Sequence, residues 1–336
     1  MKVQSASLAS QVEIAVVLPC YKVTSHVVDV IKAIGPEVSR IYAVDDCCPD
    51  HSGDHIEEHV DDPRVRVLRH EVNKGVGGAV ITGYRAAIEE GIDIIAKVDG
   101  DGQMDPALLP RFLAPIIAQE ADYAKGNRFY SATAVSTMPG TRLVGNAILS
   151  FFTKLSSGYW SNFDPTNGYT AVHTDALRAI DLRALSERYF FETDMLIRLG
   201  ELRAVVVDVP MDAVYGDEVS GLKISRILLE FLGKHLKATV RRITYQYFLR
   251  DFSFASLNLL MGLPLLVFGI IFGMIEWFIS NSTGVVATTG TVMIAVLPII
   301  TGIQMLLLFL SSDIASEPTR PFQGTTRAML SERSRT

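Results

Sequence analysis

The sequence is poor in several things, and each shortage excludes a class of protein. Its 336 residues hold only three cysteines, Cys20, Cys47 and Cys48. The count is odd, two are adjacent and none are spaced C-x-x-C, which argues against a disulfide scaffold or a zinc site and for a reducing compartment. Positive charge is not in excess: 31 Lys and Arg face 37 Asp and Glu, for a formal net charge of −6. Without a global basic field, nucleic acid is not expected as a partner. Charged residues make up 20% of the chain and hydrophobic ones 49%, and the mean hydropathy is +0.26. A disordered chain is excluded, and an ordinary soluble enzyme fits poorly. The first dozen residues carry no apolar stretch between a basic start and a small-residue cleavage site, so no signal peptide is expected.

The apolar excess is concentrated at one end. Residues 254–275 (FASLNLLMGLPLLVFGIIFGMI) are uncharged over the roughly 20 residues that cross about 30 Å of hydrocarbon as a helix. Glu276 and Trp277 follow at an interfacial position, then a polar connection over residues 280–290 with no basic residue, then a second run, 292–310, ending at Ser311, Ser312 and Asp313. Both runs are apolar on all faces, which favours two spans over two core helices, and membrane helices tolerate the internal Pro264 and Pro298. Lys234, Lys237, Arg241, Arg242 and Arg250 precede the first span, and Arg320, Arg327, Arg333 and Arg335 follow the second. Both ends are therefore expected in the cytoplasm, at the inner (plasma) membrane. Between residues 222 and 250, Ile224, Ile227, Leu228, Phe231, Leu232, Leu236, Val240 and Ile243 recur at helical spacing among basic residues. This predicts an amphipathic helix on the membrane surface, a helix packed on the soluble domain being the alternative. The expected division is 1–220 catalytic, 221–251 amphipathic, 252–312 two spans and 313–336 a cytoplasmic tail.

The soluble part alternates short β-branched runs with helical stretches. Residues 12–18, closed by Pro19, 41–44, 65–68 and 94–98 read as strands, and 27–33, 54–60 and 78–89 as helices. Such alternation implies an α/β fold with a mostly parallel sheet, whose ligands gather at the carboxyl ends of the strands. The unusual polar residues fall there. Asp99 and Asp101 in KVDGDGQMDP lie two apart, so an extended backbone turns both carboxylates to one side. Two such charges about 4 Å apart repel by roughly 4 kcal/mol at an effective dielectric near 20. A hard divalent cation, Mg²⁺ or Mn²⁺, would relieve that and share phosphate oxygens, although a solvated turn also accommodates D-x-D. NKGVGGA, residues 73–79, opens a helix with glycines: either a tight turn or a backbone approached by a nucleotide. It does not fit G-x-G-x-x-G after the first strand, so hydride chemistry loses support. Asp45 and Asp46 either cap the next helix or accept hydrogen bonds from a base or ribose edge.

In order, Leu18-Pro19-Cys20-Tyr21, Val44-Asp45-Asp46, the loop from Asn73 to Ala79, the run from Asp99 to Pro106, Gly126-Asn127-Arg128 and the run from Asp164 to Tyr169 resemble the family 2 glycosyltransferases of the GT-A fold. The set is most similar to the polyprenyl-phosphate branch, that of dolichol-phosphate mannose synthase and GtrB-like proteins with two C-terminal spans. The resemblance implies inverting transfer of one sugar from a nucleotide sugar, UDP-linked in preference to GDP-linked, to undecaprenyl or dolichyl phosphate. The alternative is extension of a lipid-linked glycan. By the family pattern Pro19, Tyr21, Asp45, Asp46, Asn73, Lys74, Gly75 and Gly78 hold the donor with Asp99, Gly100 and Gln103. Asp99, Asp101 and Gln103 hold Mg²⁺ or Mn²⁺, and Arg128, Arg142 and Asn146 meet the acceptor phosphate. Asp164 is the preferred base or acceptor-orienting residue, with Glu192 and Asp194 as rivals. Lys22-Val23 stands where the family usually has Asn-Glu, and D-G-D replaces D-A-D. The Gln-x-x-Arg-Trp signature of processive synthases is missing, in keeping with single-sugar transfer. The resemblance also suggests a homo-oligomer formed through the spans.

Overall fold

The computed structural model describes residues 12–130, 140–212 and 224–323. They fall into two compact units, Met1–Ala238 with Pro318–Thr336, and Thr239–Glu317. The first is built on a seven-stranded sheet in the order β3-β2-β1-β4-β6-β5-β7. Its strands are β1 Ile14–Cys20, β2 Arg40–Asp45, β3 Val65–Arg69, β4 Ile94–Lys97, β5 Tyr123–Asn127, β6 Thr170–His173 and β7 Val206–Pro210. Only β6 runs antiparallel to its neighbours β4 and β5, and the other pairs are parallel.

Helices cover both faces, which is why β1 reads as an unbroken apolar run instead of an alternating one. Ile14, Val16 and Leu18 pack toward α1 Val27–Ala33 and α4 Leu109–Ile117. Ala15 and Val17 pack toward α3 Val76–Glu89 and α7 Phe191–Leu202. The expected strands and helices appear with one informative shift: β1 does not stop at Pro19 but continues to Cys20, with Pro19 in register with Val44. Val17 O accepts from Val98 N on the β4 side, and the residue two on, Pro19, faces the same side. The β1–β4 register has ended at Val17 and Lys97, so the missing proline N–H removes no ladder bond.

Residues 313–336 were expected as a separate tail, yet residues 318–323 join the first unit. Phe322 N and Gln323 N donate to the Asp122 carboxylate at 2.8 and 2.9 Å. Gln323 Nε2 donates to Ala121 O at 2.7 Å and Ile116 O at 3.1 Å. The helices α2 Ser52–His59, α5 Gly140–Ser157 and α6 Thr174–Ala179 complete the catalytic unit, together with the first part of α8 Ile224–Thr244. On α8 the two readings of its apolar residues divide. Phe231 and Ala238 pack with Phe190 and Ile197, whereas Leu232 and Leu236 are exposed.

The second unit takes the end of α8, a π-helical turn Tyr245–Arg250, and the helices α9 Phe254–Thr283 and α10 Thr289–Ala315. Both long helices have the length and composition to cross a membrane. They run further than the 280–290 connection implied. Helix α9 continues to Thr283 and is stopped by Gly284 at φ +68°, and Thr288 caps α10 through Thr291 N. Small residues bring the two backbones together: a Cβ on Gly302 would lie 2.7 Å from Leu266 N, and one on Gly269 2.7 Å from Ala295 O. Arg242 and Asp313 form a buried two-point ion pair at 2.8 and 2.9 Å, and Tyr247 Oη donates to the same carboxylate at 2.6 Å. The pair ties the end of α8 to the end of α10.

Candidate active site

The carboxyl ends of β1, β2 and β4 open into a cleft of about 560 Å³. Its lining includes Pro19, Tyr21, Asp46, Asn73, Gly75, Asp99, Gly100 and Asp101, all expected from the sequence. Lys22, Arg188 and Tyr189 line it too. Asp99 and Asp101 both line this space, but the strand ends at Lys97 and residues 100–101 form a turn, so the turn and not an extended backbone brings them there. Asp101 Oδ1 accepts the Gln103 N–H at 2.9 Å, which turns the loop back on itself. Gln103 itself is half-buried and is not part of the cleft lining.

A residue the sequence reading overlooked sits beneath Asp99. Lys97, 1% exposed, places Nζ 2.7 Å from Asp99 Oδ1 and 3.2 Å from Glu192 Oε1, and donates to Gly168 O at 3.2 Å. Burial alone would lower its pKa, but the two carboxylates more than offset this and hold the ammonium above its ordinary range. A Cβ on Gly168 would come 2.7 Å from Asp99 Oδ2 and displace the end of Lys97. Glu192 is thus committed to the buried Lys97 ammonium and is not part of the cleft lining. Its rival Asp194 is committed elsewhere, accepting from Ser186 N at 2.8 Å and pairing with Arg198 at 3.3 Å.

The acidic pair after β2 divides. Asp45 accepts from Cys48 N and from Gly53 N in the first turn of α2, both at 2.7 Å. This is the capping role, one of the two the sequence offered, and Asp45 is not part of the cleft lining. Asp46 borders the cleft, but its carboxylate accepts from Lys74 N at 2.8 Å and Gly75 N at 2.7 Å, and lies 2.7 Å from His70 Nδ1. Asn73 Nδ2 donates to its carbonyl at 3.1 Å. Asp46 thereby fixes the 73–75 loop, and with Lys74 it acts through backbone geometry. The glycines that follow serve a purpose the sequence did not suggest. Gly75 has φ +88°, and a Cβ there would lie 2.8 Å from Glu187 O, while one on Gly77 would collide with Ser186 O. Gly78 N donates to Glu187 O at 2.9 Å. The glycine loop is approached by residues 186–188 of the protein itself.

Asp164 lies in a second polar centre. It is fully buried, with φ +57°, a conformation costly for a non-glycine residue. Its oxygens accept from Arg128 Nε at 2.8 Å, Arg128 Nη2 at 2.7 Å, Arg128 N at 3.1 Å and Asn167 Nδ2 at 3.1 Å. Burial pushes its pKa up, but Arg128's hydrogen bonds and charge, with Lys125, more than offset that and hold it below the usual carboxylate range. A carboxylate so buried and so hydrogen-bonded is a poor proton acceptor, a setting that suits the orienting role better than the base role. Beside it, Asp208 lies 2.9 Å from Lys125 Nζ and accepts from Asn127 Nδ2, Asn162 Nδ2 and Phe163 N at 2.8, 2.8 and 2.9 Å. Lys125 also donates to Phe163 O. The signal for Lys97, Lys125 and Asp208 was a charge inside a strand of a sheet buried on both faces, where an ion is kept only with partners.

Asn146 is half-buried on α5, a helix that exposes Val144, Ile148 and Phe151 at i, i+4 and i+7. The side chain of Arg142, and residues 215–222, lie outside the described residues.

Residues 15–181 match the Glycosyl transferase family 2. An undecaprenyl-phosphate mannosyltransferase of Micrococcus luteus is 35% identical over 178 residues, 52% of this chain and 72% of the relative. The chain belongs to the family 2 glycosyltransferases. A UDP-N-acetylglucosamine–dolichyl-phosphate N-acetylglucosaminyltransferase of Methanococcus voltae is 34% identical over 168 residues, 50% of this chain and 66% of the relative. Among solved structures, glucosyl-3-phosphoglycerate synthase from Mycobacterium tuberculosis superposes with a TM-score of 0.55 at 15% identity, covering 71% of this chain and 84% of that one. This likeness establishes the GT-A fold of the glycosyltransferase.

Proposed function

We propose that this glycosyltransferase moves one sugar from a nucleoside diphosphate donor, UDP- or GDP-linked, to a polyprenyl phosphate, inverting the anomeric centre. The observation that carries the reading is the pair Asp99 and Asp101 facing one cleft with Pro19, Tyr21, Asn73 and Gly75, in a chain whose relatives are named for polyprenyl-phosphate acceptors. Two carboxylates sharing one open space fit a divalent cation such as Mg²⁺ or Mn²⁺, which offers charge stabilisation to a departing diphosphate. Lys97 holds Asp99 in place from below. A phosphate oxygen of the acceptor is already anionic at neutral pH, so attack on the anomeric carbon needs no strong base. The bond to the donor diphosphate breaks as the new carbon–oxygen bond forms. Asp164 then serves as a positioning residue, presenting the Arg128 guanidinium to an acceptor phosphate, with Arg142 and Asn146 on the helix beyond.

Membrane attachment follows from α9 and α10. Residues 318–323, after the second helix, bind the catalytic unit, which supports an even number of crossings. The basic residues on both flanks favour a cytoplasmic side for that unit. Exposed Leu232 and Leu236 on α8, and Val144, Ile148 and Phe151 on α5, supply apolar contact at the lipid surface.

The test is a screen of nucleotide sugars against undecaprenyl phosphate with Mg²⁺ or Mn²⁺, using the purified full chain. A lipid-extractable product that releases its sugar in mild acid is expected. An acid-stable product, or transfer only onto a preformed lipid-linked glycan, would overturn the acceptor assignment.

A further inference from the structure

The glycine loop poses a question that the donor reading leaves open. Glycine in a fixed conformation forfeits roughly 0.5–1 kcal/mol per position relative to alanine. Here Gly75 and Gly77 accommodate protein: residues 186–188 lie where their Cβ atoms would be. That segment is held from three directions, by Gly78 N on Glu187 O at 2.9 Å, Phe191 N on Arg188 O at 2.9 Å, and Ser186 N on the Asp194 carboxylate at 2.8 Å. The result of this anchoring is to set Arg188 into the wall of the cleft that Asp99 and Asp101 also line. Its backbone is fixed while its side chain is exposed. Asp194, Glu192, Asp46 and Asp99 all have other partners.

We propose that Arg188 is a donor-phosphate ligand, its guanidinium binding the diphosphate of the nucleotide sugar from a different element of the cleft than the aspartates. The proposal rests on the nucleotide-sugar reading and extends it. A planar guanidinium offers paired N–H donors matched to phosphate oxygens, and it stabilises the negative charge that grows on the diphosphate as it leaves. The loop then acts as a mount for a cation, and the approach of residues 186–188 to Gly75 sets where that cation stands.

Calorimetric titration of the full chain with UDP, GDP and UMP in Mg²⁺ tests this, comparing the native chain with Arg188→Ala and Arg188→Lys. For whichever nucleoside diphosphate binds, Arg188→Ala is expected to weaken affinity about 10-fold or more, to weaken the monophosphate much less, and to leave the melting temperature unchanged. Arg188→Lys should fall between. Unchanged diphosphate affinity in Arg188→Ala, or equal weakening of diphosphate and monophosphate, would overturn the assignment while leaving the donor reading intact. A native chain that binds neither diphosphate would overturn the donor reading itself.

Discussion

Two groups of carboxylates lie in the catalytic unit, and they are used in opposite ways. Asp99 and Asp101 face an open cleft, with one oxygen of Asp99 braced by Lys97. Asp164 and Asp208 are each surrounded by donors, four hydrogen bonds to Asp164 and three to Asp208 beside its contact with Lys125. The first group lines the space open to a ligand. The second uses its capacity to hold protein, fixing Arg128 and the residues around it. A buried carboxylate surrounded by donors belongs to the scaffold even when it stands beside the chemistry.

The sharpest way to break this comparison is to remove one member of each group. Asp101→Ala should reduce transfer about a thousandfold or more, since charge stabilisation of the leaving group is the largest contribution available. Its melting temperature should stay near that of the native chain, and Mn²⁺ binding should disappear. Activity in that variant, or full activity in EDTA, would refute the metal assignment. Asp208→Ala should do the reverse. It strands buried Lys125 without its carboxylate, a loss of about 3 kcal/mol or more, seen as a melting temperature lower by roughly 10 °C. An unchanged melting temperature would mean that the Asp208 centre is not structural.

Asp164→Asn probes the boundary between the groups. Asparagine keeps the shape but not the charge that Arg128 meets on two nitrogens, so a stability loss of about 1–3 kcal/mol at neutral pH is expected. The folded-state pKa of Asp164 is depressed, so its contribution is fully present above the unfolded value of about 4 and is lost as pH falls through the lower folded one. The gap between native chain and variant should therefore hold steady from neutral pH down to about 4 and close on further acidification. If Asp164 positions Arg128, then combining Asp164→Asn with Arg128→Ala should slow transfer no more than Arg128→Ala alone. Additive losses would restore the base role.

Much of this arrangement was legible in the sequence. Strand runs ending in Asp45-Asp46 and in Asp99-Gly100-Asp101 locate the cleft, because a parallel sheet gathers its strand ends on one edge. What the residues near one another in sequence cannot convey is which partner a polar group finds across the fold. Asp45, Asp46 and Asp164 looked equally available, and each is occupied by a loop 3 to 36 positions away. Lys97 was hidden for the same reason, its partner Glu192 lying on α7 far along the chain. The loop glycines were legible as close-approach residues, but the approaching group turned out to be residues 186–188.

The weakest member of the series tests the tail that follows the helical hairpin. Gln323 is 2% exposed and donates to Ile116 O and Ala121 O, and its backbone N–H meets fully buried Asp122. Gln323→Ala removes the two side-chain bonds and keeps the backbone one, leaving two carbonyls underpaired. A loss of about 1 kcal/mol is expected, or a melting temperature lower by roughly 2–4 °C. Asp122→Ala should cost more, because it also releases Val205 N and Phe322 N. If the tail holds to the catalytic unit as these bonds imply, limited proteolysis between residues 316 and 323 will be faster in Gln323→Ala than in the native chain. Equal cleavage rates in the two chains would contradict the docking.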